Sequence, residues 1–145
     1  MDTISLATAT ILTGLSAGLL YGWRVSVIPG TRRTSSHAYV ETMQAINRAI
    51  LNPAFFFVFL GAPVAIAVAT VVAFVDDANA RVGLLAFAFV LYLTTTVVTT
   101  AVGNIPLNDQ LEAFDVSGAT SDEVDATRRA LRTNVRGTAG TTFAR

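Results

Sequence analysis

The chain has no cysteine and no lysine, and charged residues make up only 14% of it. The missing cysteine excludes disulfides and thiolate metal sites. With no lysine there is no Walker-type phosphate loop, and no glycine-rich equivalent is present either. A soluble domain is nearer a quarter charged, so the low charge argues against one. Formal net charge is zero, which removes the overall electrostatic reason to bind nucleic acid. All ten basic residues are arginine, a bias that fits a high-GC genome better than a function. No internal repeat or low-complexity tract stands out.

What is abundant is apolar sequence. Hydrophobic residues make up 52% of the chain and the mean hydropathy is +0.56. Three uncharged runs reach the roughly 20 residues that a membrane helix needs, at about 4–23, 54–75 and 82–103. The first does not read as a signal peptide: Asp2 has the wrong charge for its start, and no convincing cleavage site follows. These runs predict one membrane-embedded, all-α domain over 1–145, an up-down bundle of helices. Arginines follow the first run (Arg24, Arg32, Arg33) and the third (Arg128, Arg129, Arg132, Arg136), while Asp76 and Asp77 follow the second. The positive-inside rule then places the N-terminus outside and those arginines in the cytoplasm. The expected setting is a bacterial or archaeal plasma membrane.

Within this frame the polar residues are few and grouped. His37, Glu41, Gln44 and Arg48 are spaced 4, 3 and 4. In a helix, at about 100° per residue, they fall within an arc of roughly 60°. Tyr39, Val40, Met43, Ile46 and Ile50 occupy the other side. The helix is expected to continue through Pro53 and Phe55, Phe56 and Phe57 into the second span, with Pro53 bending it. Gly61-Ala62-Pro63 offers a second bend, and any carbonyl freed there needs a partner. Gly14, Gly18 and Gly22 form a small-residue face that predicts close helix packing, within the bundle or between copies. Thr94, Thr95, Thr96, Thr99 and Thr100 can bond back to their own helix. Asn104 and Asn108 need partners if buried. Thr120 and Glu123 make a capping-box pattern that starts a cytoplasmic helix at about 121–136.

His37 is the only histidine, and an imidazole can exchange a proton near neutrality. Glu41 lies one turn on and can orient it. The plainer alternative is a solvated intrahelical pair. A metal needs three or four ligands, and His37 with Glu41 supplies two, so none is expected unless Asp109 or Glu112 comes near. Uncharged spans argue against a mid-membrane proton relay. The polar residues instead suggest a site at the cytoplasmic membrane surface, reached by a hydrophobic molecule or lipid from the bilayer.

Met43-Gln44-Ala45-Ile46-Asn47-Arg48, Asn52-Pro53-Ala54-Phe55, Asn104-Ile105-Pro106-Leu107-Asn108 and Asn134-Val135-Arg136 together resemble the DUF1772, or anthrone oxygenase-like, membrane proteins. The likeness extends from about residue 5 to 143 and implies a four-helix membrane bundle. For some members it also implies oxidation of an anthrone by O2 without a recognised cofactor. Residues 137–143 look like the start of a fourth span that is largely absent, so three to four spans are expected, or a homo-oligomer or protein partner that supplies the missing surface. Checked against this chemistry, His37 with Glu41 is the candidate base. Gln44, Asn47, Asn104 and Asn108 are candidate oxyanion donors, Arg48 and Arg136 candidate holders of enolate charge, and Met43 with the three phenylalanines a candidate slot. The alternative is a non-enzymatic membrane module or accessory subunit.

Overall fold

The computed structural model describes residues 3–140, with side chains through residue 131. Among these residues there is no strand. Seven α-helices follow in order: α1 (Thr3–Gly22), α2 (Ile28–Thr31), α3 (Ser36–Ile50), α4 (Pro53–Val75), α5 (Asn79–Tyr92), α6 (Ile105–Glu112) and α7 (Ser121–Gly140). Wider π-helical turns at Trp23–Val27, Leu93–Val98 and Thr100–Asn104 join α1 to α2 and α5 to α6. Three continuous helical stretches are therefore long and apolar enough to cross a membrane: Thr3–Thr31, Pro53–Val75 and Asn79–Glu112. The third runs well past Gly103, where the apolar run ends. As expected, the described chain is all-α, with three helical stretches that could span a membrane.

The chain divides into two compact units. The first comprises residues 1–25 and 51–99. Here α1 and α5 both pack on α4, around Ala9, Leu12, Ala62, Ile66, Ala69 and Tyr92. Small residues at the contact let backbones approach, the usual source of helix adhesion in lipid. The outward faces stay apolar: Ile11, Val64, Val71, Leu84 and Phe87 are all exposed, as lipid contact requires. Gly14, Gly18 and Gly22 do not join this packing. A Cβ added at any of them meets nothing within 4 Å. At about 100° per residue they lie roughly opposite the buried Ala9, Leu12 and Ser16.

Two polar devices hold the first unit. Pro63 lies inside α4 and cannot donate to the Phe59 carbonyl one turn back. The Tyr92 hydroxyl donates to that carbonyl instead, at 2.9 Å. The phenol has one hydrogen, so Ser16 Oγ donates in turn to the Tyr92 oxygen, at 2.9 Å. All three helices thus meet at one hydrogen-bonded chain. At the α4–α5 turn Asp77 has φ 53°. Its N–H bonds Phe74 O at 3.2 Å and that of Ala78 bonds Ala73 O at 3.0 Å, a Schellman ending. Of the threonines of the third stretch, Thr94 and Thr95 donate back to the Val90 and Leu91 carbonyls and Thr99 to that of Thr94.

The second unit comprises residues 26–50 and 100–145. Within it α3 packs on α6 and α7, around Tyr39, Val40, Leu111, Val116 and Val124, with Met43, Phe114 and Leu131 beside them. The helix α3 does not continue into α4, as the sequence suggested. It stops at Ile50, and Asn52 caps a new helix by accepting from Phe55 N at 3.0 Å. Pro53 takes the first helical position, where its missing N–H costs nothing. Ser35 caps α3 through the Ala38 N–H at 3.3 Å.

Candidate functional site

The polar face of α3 splits by depth. His37 and Glu41 stay in solvent, 54% and 59% exposed, with Nδ1 and Oε2 3.3 Å apart. Gln44, one turn on, is buried. Its amide nitrogen donates to Leu111 O and to Phe114 O, both at 2.8 Å. The Leu111 carbonyl lies in the last turn of α6 and also takes the Phe114 N–H at 3.3 Å, while the Phe114 carbonyl lies just past the helix. Both amide hydrogens are used, so none remains for a ligand. Arg48, again exposed, donates Nη1 to Glu112 Oε1 at 2.6 Å. Arg48 also lines the cleft described next.

Between α3 and the chain that follows α6 lies a cleft of 610 Å³. Glu41, Gln44, Ala45 and Arg48 form one wall, and residues 112–117 form the other. Its volume is in the range of small-molecule sites, about 300–1,000 Å³. The opposite wall is shaped by Asp115, whose carboxylate accepts from Ser117 Oγ at 2.6 Å, Ser117 N at 3.0 Å and Gly118 N at 3.4 Å. The Ser117 hydroxyl, then the two backbone N–H groups, hold the Asp115 carboxyl below its ordinary range. Further on, Glu123 accepts from the Thr120 N–H and hydroxyl, both at 2.8 Å. These two bonds lower its pKa in the same way.

Of the residues singled out in the sequence, the structure brings Glu41, Gln44 and Arg48 to this cleft and leaves His37 directly behind Glu41. Asn47 and Asn108 are half-buried, one turn from Gln44 and Leu111, and neither lines the cleft; Asn104 is exposed. The Arg136 side chain lies outside the described residues, as do residues 141–143. Phe55 stacks on Phe59 at 5.1 Å within α4, and Met43 enters the α3–α6–α7 core, so none of the expected slot residues faces the cleft. Among the described residues, no three of His, Asp and Glu gather as metal ligands. Asp115 and Ser117 escaped the sequence reading as site residues, and Glu112 entered it only as a possible metal ligand. The signal for them was weak, a D-x-S-G turn directly after a short helix.

The family model for anthrone oxygenase matches residues 55–136, more than half of the chain. The chain belongs to the anthrone oxygenase family. No curated protein and no solved structure matches it. The matched residues of this DUF1772 chain include Asn104, Asn108, Glu112, Asp115 and Arg136 and begin after the α3 stripe. One wall of the cleft therefore lies inside the family's matched segment and the other wall outside it.

Proposed function

We propose that this anthrone oxygenase family member oxidises a hydrophobic polycyclic or phenolic molecule with O2 at the cytoplasmic membrane face, in the α3 cleft. The reading is carried by one observation: a carboxylate–imidazole pair and an arginine stand one and two turns apart along a cleft of small-molecule size. Of the carboxylates on the cleft, Glu112 is paired with Arg48 and Asp115 with Ser117, which leaves Glu41 as the base, and His37 one turn away can accept or return the proton. In an anthrone the acidic C–H lies opposite the carbonyl. Removing its proton places charge on that carbonyl oxygen, where Arg48 can stabilise it. The electron-rich anthrolate then reduces O2. One oxygen atom stays on carbon as the second quinone carbonyl, and the other leaves as water with the two hydrogens lost.

Membranes that contain the protein, incubated with an anthrone in air, should gain quinone absorbance faster than empty membranes. Equal rates across several anthrones would end this reading. Glu41→Gln and Arg48→Ala should each slow the reaction by roughly two to three orders of magnitude, the size of a general base or of one oxyanion contact.

A second reading has its own support. The Gly14, Gly18 and Gly22 face is open in the first unit, as a helix that joins a further membrane helix would leave it. Under it the chain is a module of a membrane complex. Cross-linking in mild detergent should trap an adduct that Gly18→Leu abolishes.

A further inference from the structure

We propose that the turn Arg32–Ser36, together with Arg128, seats the phosphate of an anionic phospholipid headgroup. Arg32 and Arg33 follow the helical stretch Thr3–Thr31, past Trp23 where its apolar run ends, on the side where a membrane surface would lie. Both are exposed, and among the described residues neither guanidinium has an acceptor. Arg128 comes to the same turn from more than ninety residues away, in α7. Its Nη2 donates to Arg32 O at 2.9 Å, and its Nη1 donates to Thr34 O at 3.0 Å and Ser36 Oγ at 3.2 Å. The guanidinium lies 5.0 Å from the centre of the Tyr39 ring, and its Nε is buried with no acceptor.

Every group that Arg128 touches is neutral, so its charge is fixed in place without being cancelled. The chain around the turn adds no counter-charge: from Val25 to Val40 there is no Asp or Glu. Three positive charges therefore meet at a turn rigidified by three hydrogen bonds, beyond the end of the first apolar run. A phosphate supplies the charge and the acceptor oxygens that this arrangement lacks, and the anionic lipid surface presents it at that depth. The acidic residues of α7 nearest in sequence are Asp122, Glu123 and Asp125. Of these, Glu123 is occupied by Thr120, and among the described residues neither the Asp122 nor the Asp125 carboxylate pairs with Arg128.

The full chain in neutral detergent, given phosphatidylglycerol and phosphatidylcholine in equal amounts, can be weighed by native mass spectrometry. The wild type should retain phosphatidylglycerol preferentially. Arg32→Gln and Arg33→Gln should each reduce that preference about fivefold, and Arg81→Gln on the other connection should not. Equal retention of both lipids, or an equal loss in Arg81→Gln, would overturn the proposal. So would displacement of the lipid by an equal concentration of inorganic phosphate, which would make the turn a free-anion site. Arg32→Lys/Arg33→Lys, which keeps the charge, should retain most of the preference.

Discussion

The hydroxyl of Tyr92 stands in for the amide hydrogen that Pro63 does not have. It reaches the Phe59 carbonyl from a different helix, at 2.9 Å. A proline in the middle of a membrane helix is thereby tolerated, because the carbonyl it frees is satisfied by a neighbour.

Tyr92→Phe should therefore lower stability by about 1–2 kcal/mol, the upper part of the range for interhelical hydrogen bonds in membranes. Pro63→Ala restores a donor within α4, and in that background Tyr92→Phe should cost much less. A double-mutant cycle by detergent unfolding tests this coupling. Additive losses would show that the tyrosine acts through packing alone.

Asp77 is the one non-glycine residue with positive φ among those described. An L side chain in that region costs about 1–2 kcal/mol, and the Schellman position favours glycine. Asp77→Gly should raise the melting temperature of the α4–α5 hairpin. A decrease would mean that the Asp77 side chain makes a contact worth more than the strain.

Gln44→Leu keeps the size of the side chain and removes both donors to the end of α6. The Leu111 carbonyl keeps the Phe114 N–H, so the main loss falls on the half-buried Phe114 carbonyl, at about 1–3 kcal/mol. Hydrogen exchange at Phe114 and in the turn after it should accelerate along with the loss of stability. An unchanged melt would mean that water replaces the amide.

Asp115 and Glu123 are both favoured in their charged forms by bonds that exist only in the folded chain, so their folded pKa values lie below the unfolded ones. Their contribution is complete above the ordinary carboxylate range, above about 4.5, and is lost as pH falls through the lowered values. Thermal melts of the wild type should decline on acidification below that range. Asp115→Asn/Glu123→Gln should start lower at neutral pH and decline less steeply. Parallel curves would rule out these two groups as the source.

The spans and the start of α7 were legible in the sequence, because lipid demands length and apolarity, and a capping pattern is local. The break at Asn52 was harder to read. Pro53 fits either the interior of a bent helix or the first turn of a new one, and the choice rests on whether Asn52 adopts the extended backbone of a cap, which it does at φ −129°, ψ 159°. The split of the α3 stripe was not legible at all. Gln44 and Glu41 are alike in polarity and spacing, yet their fates depend on carbonyls 67 and 70 residues further on. Arg128 was read as one of a charge group that fixes orientation. Its clamp on the first connection joins segments 92–96 residues apart.

The second unit is built from two pieces of chain with the α4–α5 hairpin between them. Val40, wholly buried in the finished core, is made long before Leu111, Val116 and Val124, which cover it. At about 5–20 residues per second, some eighty residues of synthesis separate the two, roughly 4–16 s. Through that interval α3 carries an uncovered apolar face, and the whole hairpin must be synthesised before the face can close. A stalled hairpin would therefore register first as loss of the α3 core, far in sequence from the defect.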